Sequence, residues 1–148
     1  MGRALQGHPR LTGTTKVCPL VTRRVDGQWL VLAFIHPLAG RQFVKGGIER
    51  HETPAKAAIR ELSEESGIRV MAPPVLLGTA PIGSEGRIWH FFDCPAPALP
   101  DRWQHRTEDR GGLLFDFFWH PLAKTPGQDW HPIFRDAHVT IRRLLDGR

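Results

Sequence analysis

GGIERHETPAKAAIRELSEESGI, residues 46–68, reads as a glycine turn, a helix start, and a helix with three carboxylates on one side. Thr53 suits the N-cap, Pro54 the first helical position, and Gly67 the residue just past the end. On a wheel of about 100° per residue, Ala55, Ala58, Ile59 and Leu62 gather on one face, the expected buried one. Glu61, Glu64 and Glu65 fall on the neighbouring arc with Ala57 among them. Like charges three and four residues apart repel by ~0.2–0.5 kcal/mol per pair in an isolated helix. A helix that needed only solubility would do better with lysine or glutamine at one of these positions. A hard divalent cation reverses the balance, because Mg²⁺ and Mn²⁺ favour oxygen ligands. The competing reading is a solvated acidic face.

The order Gly46, five residues, Glu52, seven residues, Arg60-Glu61-Leu62, one residue, Glu64-Glu65, one residue, Gly67-Ile68 resembles the Nudix box without a mismatch. The resemblance implies an α/β fold, the Nudix-type α/β/α sandwich with a mixed sheet. It also implies a hydrolase that cleaves a diphosphate linked to another group, with Mg²⁺ or Mn²⁺ held by the box glutamates. By resemblance Glu61 and Glu65 are metal ligands, and Glu64 is a ligand or the base that activates water. Arg60 is expected to orient a neighbouring carboxylate by ion pairing; the alternative is a surface pair with Glu64. Glu52, just before the helix, is read as a structural carboxylate or as one outside the metal's immediate ligands. The Gly46-Gly47 turn lets the backbone approach closely and offers a carbonyl near Lys45 or Gly46 to a cation, so Gly46 joins the metal candidates. Family members often add an acid from a later loop. Glu108 is favoured for that place, over Asp109 beside it and Asp116 on the following strand.

At 148 residues the chain is expected to form one domain with a sizeable core. Residues 1–14 read as a flexible N-terminal arm with Gly2, Gly7, Pro9 and Gly13, and residues 15–148 as the hydrolase domain. The first fifteen residues lack the apolar run of a signal peptide, and no segment has the length of a membrane span. A cytoplasmic location and no membrane partner are expected. Cys18 and Cys94 stand alone with no CxxC, so they read as free thiols, with neither a disulfide framework nor a zinc site indicated. A formal charge of +5 favours a polyanionic partner, a phosphorylated small molecule or RNA, against a reading as mere solubility. The basic residues are scattered and form no nucleic-acid-type block.

Along the chain, Lys16–Arg24 reads as a strand, with Pro19 marking an edge or bulge. Asp26-Gly27 is a hairpin turn signal, and Gln28–His36 is a buried strand. His36–Arg41 reads as loop and Gln42–Lys45 as a short strand. Arg69–Ala72 and Val75–Ala80 are extended, Pro81–Arg87 is a turn, and Ile88–Asp93 is a strand. A proline-marked loop over Cys94–Gln104 follows. Leu113–Trp119 is a strand and a helix closes the chain. Pro132 is its expected first residue, Ile133, Phe134, Ala137, Ile141, Leu144 and Leu145 its packed face, and Val139 is exposed.

His36, His90 and His120 read as core or rim residues. Trp89, Trp103 and Trp119 are expected in the core rather than stacked on a purine, and there is no tyrosine to serve base recognition. Val44-Lys45-Gly46-Gly47 resembles the lysine-glycine-glycine variant found among hydrolases of dinucleoside and diphosphoinositol polyphosphates, with Val44 where proline is usual. Lys45, Arg41, Arg23 and Lys16 are candidate phosphate contacts, with Arg24 beside them. Three functions are compatible with these readings. The first is a metal-dependent diphosphate hydrolase of a nucleoside-diphosphate-linked or polyphosphorylated small molecule. The others are an RNA 5′ pyrophosphohydrolase and a non-catalytic ligand sensor, against which the three intact glutamates argue. Oligomeric state is not legible in the sequence.

Overall fold

Period-2 alternation along the strands sorts the interior into two cores. Cys18, Val31, Ala33, Phe91 and Phe118 pack with Phe134, Ala137, Ile141 and Leu145 of the closing helix. Their chain neighbours Val17, Leu32, Phe34, Phe92 and Phe117 pack with Ala57, Ala58 and Leu62 of the carboxylate helix. One helix therefore covers each side, as an α/β/α sandwich requires. Burying side chains such as Leu62 and Phe134, both almost wholly inaccessible, stabilises the fold by ~1.5–3 kcal/mol each.

The computed structural model describes residues 15–107 and 111–148. The arm expected at residues 1–14 and the loop acids Glu108 and Asp109 lie outside them. The strands and helices are β1 (Lys16–Leu20), β2 (Thr22–Val25), β3 (Gln28–His36), β4 (Gly40–Gln42), β5 (Gly46–Gly47), α1 (Pro54–Ser66), β6 (Val75–Ile82), β7 (Arg87–Asp93), β8 (Trp103–Arg106), β9 (Leu114–Pro121) and α2 (Ile133–Leu145). One sheet has the order β5-β1-β7-β6 and is mixed, with β1 and β7 parallel; the other runs β2-β3-β9-β8, with β4 on β3. No helix among the described residues is long and apolar enough to cross a membrane.

The caps of α1 are those expected. Thr53 Oγ1 accepts from the Lys56 N–H at 3.2 Å, Pro54 opens the helix, and Gly67 adopts φ 80° past its end. Asp26 and Gly27 both take positive φ, 53° and 78°, which a two-residue hairpin turn of the favoured twist requires. Val139 is exposed, and Pro132 is the cap of α2 rather than its first residue.

Several boundaries differ from expectation. The strand expected over Lys16–Arg24 breaks at Val21. The Leu20 carbonyl accepts from Cys94 N–H and the Val21 carbonyl from Leu32 N–H, so the chain changes sheets there. Pro19 lies inside β1, but β5 pairs only Lys16 and Val17, which leaves that flank of Pro19 without a strand. The loop expected over His36–Arg41 gives way to β4 at Gly40, and of the strand expected over Gln42–Lys45 only Gln42 is in a strand: Phe43 and Val44 are buried, one in each core, between β4 and β5. Arg69–Ala72 is irregular, and β6 runs on to Ile82 so that its turn is Gly83–Gly86. The loop after Cys94 ends earlier than expected, because Trp103–Arg106 is a strand paired with β9. Finally, the buried stripe of α1 is Ala57, Ala58, Leu62 and Ser66, with Ile59 only half-buried. On the wheel Glu61 and Glu65 fall between Ala57 and Ala58, so both sit within the packed arc.

Two histidines are buried beside the second helix. His120 Nε2 meets the Lys124 carbonyl at 2.6 Å and His138 Nε2 the Leu122 carbonyl at 2.7 Å, with the rings 6.1 Å apart. Burial pushes both imidazoles, and that of His90, below the usual value of 6.5. The unfolded chain therefore takes up these protons first as pH falls. The stability they contribute is present above about pH 6.5 and is lost as pH drops through the lower folded-state values. The urea midpoint is expected to fall between pH 7.5 and 5.5 with an unchanged slope; a midpoint constant over that range contradicts this.

Candidate active site

β5 is two glycines long and lies against Lys16 and Val17 of β1. That brings the start of the box beside the inward side of α1. A pocket of about 190 Å³ opens there, with Glu61 and Glu65 from α1, Gly46 and Gly47 from β5, and Lys16 and Lys45. A second pocket of about 270 Å³ shares Lys16 and Lys45 and continues past Trp89 to Arg87 and Ile133. The two lysines thus stand between an acidic pocket and an adjoining, more apolar one.

Arg60 binds the box together. Its Nε and Nη2 grip Glu52 at 2.8 and 2.9 Å, and Nη2 also donates to the Gly47 carbonyl at 2.9 Å. Its Nη1 donates to Glu61 at 3.0 Å and Glu64 at 3.3 Å. The five N–H groups of the guanidinium match these five contacts. Hydrogen bonding to Glu52 is the largest of the influences that hold Arg60 protonated, and the same bond holds the Glu52 carboxyl below its ordinary range. Glu52 also accepts from the Glu49 N–H at 3.0 Å, closing the turn before the helix. The surface-pair alternative for Arg60 describes only its contact with Glu64.

Gly46 is shaped by Glu61. A Cβ built on Gly46 lands on the Glu61 carboxylate, whereas one on Gly47 meets only Lys16 Nζ at 4.0 Å. Only glycine at position 46 leaves this carboxylate where it stands, against Arg60 and facing the pocket.

The other sequence candidates lie elsewhere. Glu64 engages Arg60 on the flank of α1 and is not among the residues that line the pocket. Arg41 pairs with Asp129 at 2.7 Å over the Phe118 ring. Arg23 pairs with Asp101 at 2.8 Å and stacks over Trp119 at 4.2 Å. Neither arginine lines the carboxylate pocket. Asp116 accepts from Gln104 Nε2 at 2.5 Å, and Glu108 lies outside the described residues. Trp89 is core, Trp103 stacks on Phe117, and Trp119 donates to the Pro100 carbonyl. Besides Phe34 and Phe115, three polar lining residues went unselected in the sequence: Gln42, Thr107 and His36, whose Nδ1 accepts from the Leu38 N–H at 3.0 Å. His36 ends β3 with the same parity as Phe34, so strand alternation was the available signal. Cys18 and Cys94 are free and buried, and burial raises both thiols, Cys94 to about 12, which keeps them unreactive.

Among the described residues no three His, Cys, Asp or Glu side chains converge into a preformed metal cluster. The donors that do face the pocket are oxygens. Mg²⁺ keeps several waters and is commonly held by one or two carboxylates plus substrate phosphates, and Glu61 and Glu65 beside an open pocket fit that pattern.

The model of the NUDIX domain family matches residues 13–137. An RNA pyrophosphohydrolase of Roseobacter denitrificans is 36% identical over 82 residues, covering 54% of this chain and 47% of that protein. The match thus spans about half of the relative's length. The NUDIX domain of Shewanella oneidensis NrtR, solved with ADP ribose, superposes with a TM-score of 0.62 at 14% identity, over 97% of this chain and 96% of that one. The Bacillus subtilis pyrophosphohydrolase BsRppH gives 0.57 at 23% identity, over 85% and 76%. At these identities the two structures share the fold.

Proposed function

The chain belongs to the Nudix family of hydrolases, and from that premise we propose that it hydrolyses a diphosphate linkage at the 5′ end of RNA, using Mg²⁺ or Mn²⁺. The observation that carries the reading is the placement of Glu61 and Glu65 with Lys16 and Lys45 in one pocket. The glutamates hold the cation and the lysines hold phosphate oxygens, so a chain of phosphates is gripped between opposite charges. A cation held by Glu61 and Glu65 would neutralise charge on the diphosphate and polarise the phosphorus under attack. Glu52 fixes Arg60, and Arg60 fixes Glu61, so the pair positions a ligand without touching substrate. Water attacks one phosphorus, the bridging P–O bond breaks, and the proton passes to a carboxylate. Glu64, bonded to Arg60 at 3.3 Å on the flank of α1, is the candidate for that base and would have to leave Arg60 to reach the pocket. The pocket beyond the lysines receives the next part of the substrate.

RNA is placed ahead of a small-molecule substrate because of the partial relationship to an RNA pyrophosphohydrolase. The dinucleoside or diphosphoinositol polyphosphate reading rests on Lys45-Gly46-Gly47 alone. Free thiols agree with a cytoplasmic setting. The test is a substrate series under Mg²⁺ and under Mn²⁺: 5′-triphosphorylated RNA, a dinucleoside polyphosphate, a diphosphoinositol polyphosphate and ADP-ribose. Conversion of the RNA to a 5′-monophosphate at the highest kcat/KM is expected. A preference for a polyphosphorylated small molecule restores that alternative, and binding without turnover throughout makes the protein a sensor. Lys45→Ala is expected to raise KM more for longer phosphate chains than for ADP-ribose; an equal change would make Lys45 a general surface charge.

A further inference from the structure

Arg24 lays its guanidinium over Trp29 of β3, 4.7 Å from the ring centre. The two open onto a pocket of about 340 Å³ that Arg142, Asp146 and Arg148 close from the end of α2. Arg148 makes a long ion pair with Asp93 at 3.9 Å, but among the described residues Arg24 and Arg142 have no ion-pair partner. The α2 C-terminus accounts for Arg142, since helix-end carbonyls attract cations. It does not account for Arg24, which comes from β2 and sits opposite Trp29 in the β2–β3 ladder, its guanidinium over the indole.

Trp29 is the second residue of β3 and His36, in the carboxylate pocket, ends it, so from 29 to 36 the strand spans roughly 23 Å. The faces differ too: Trp29 packs against the α2 core, and Phe34 belongs to the α1 core. A diphosphate gripped at Glu61 does not extend that far. A polymer passing around the sheet does.

We propose that Arg24, Trp29, Arg142 and Arg148 form a second site, which binds a phosphate and an adjacent base of single-stranded RNA. The stacked arginine presents a fixed fork to phosphate oxygens. The outer face of the guanidinium, held over the indole, offers a surface on which any base can stack. This site stands apart from the question of which linkage the carboxylate pocket cleaves.

The experiment is fluorescence anisotropy of the whole protein with single-stranded RNA carrying a 5′ hydroxyl, which has no diphosphate to cleave. Wild type is expected to bind, and the Arg24→Gln/Arg142→Gln double variant to bind at least tenfold more weakly. Its log affinity should also depend less steeply on log salt, by about 0.7 for each phosphate contact removed. Trp29→Leu should weaken binding and leave the salt slope alone. Turnover of ADP-ribose or another small diphosphate should be unchanged in both variants. Arg24 is exposed, so Arg24→Gln alone preserves the fold and gives the same test with a smaller loss. Unchanged affinity in the double variant overturns the proposal, as does an equal loss in the control Arg41→Gln or equal affinity for a mononucleotide and an oligomer. RNA binding that is lost in the variants while no diphosphate is ever hydrolysed sinks the hydrolase reading and leaves this one standing.

Discussion

Glu65→Gln is expected to lower turnover by more than about 100-fold and leave the melting temperature within a few degrees of wild type. Loss of a residue that merely supports a metal ligand costs 10–100-fold, and removal of the ligand itself exceeds that. The side chain keeps its volume, so the packing of α1 around Ala58 and Leu62 is not disturbed. What changes is charge: a neutral amide oxygen binds a hard cation far less well than a carboxylate does. Glu65 lies between Ala57 and Ala58 on the wheel and faces the pocket, so no solvated glutamate nearby replaces it. The control is Asp101→Asn, an exposed carboxylate that pairs with Arg23 at 2.8 Å and lines neither the carboxylate pocket nor the one adjoining it, which should change turnover little. Steady-state kinetics at saturating Mg²⁺ decide the matter. Activity within a few-fold of wild type in Glu65→Gln would remove the carboxylate from the mechanism.

The second large effect is a contrast between neighbours. Gly46→Ala places a methyl group on the Glu61 carboxylate, while Gly47→Ala meets nothing closer than Lys16 Nζ at 4.0 Å. The obstructed group is the end of a flexible side chain, so it swings aside and the backbone stays in place. Glu61 then gives up its 3.0 Å bond to Arg60 and its station at the pocket. Turnover is expected to drop about 10–100-fold in Gly46→Ala, the range for disturbing a ligand's support, with little change in stability. Gly47→Ala should remain within about twofold of wild type. Equal activities in the two variants would show that the position of Glu61 is irrelevant to the reaction.

Local chemistry made α1 legible. Thr53, Pro54 and Gly67 each perform the capping role that their backbone preferences dictate, and the box spacing needed no tertiary information. The wheel located the glutamates but misjudged the buried stripe, because Ala57 and Ala58 are both small enough to face the sheet. Helical periodicity fixes angles within a helix and does not fix which arc meets a neighbour. The sheet change at Val21 was hidden because the chain stays extended through it and no glycine or turn residue marks the point where the partner strand changes. β8 escaped notice because Pro95, Pro97 and Pro100 coloured the segment as loop up to Trp103.

The basic residues were the least legible part of the site. Lys16 and Lys45 do line the pocket, whereas Arg23 and Arg41 are committed to Asp101 and Asp129, partners 78 and 88 positions away, counting 101 − 23 and 129 − 41. Long-range ion pairs leave no periodic trace. His36 was open to strand parity, whereas Thr107 reaches the pocket only through the pairing of the assembled sheets.

Mn²⁺ titration of the wild-type protein and a Glu61→Gln/Glu65→Gln variant, followed by electron paramagnetic resonance of the free ion, tests the metal site most directly. Wild type is expected to take up the ion, and the variant, still folded by circular dichroism, to bind it at least tenfold more weakly, about 1.4 kcal/mol. Equal uptake by the two proteins would contradict the assignment of Glu61 and Glu65 as the metal's holders.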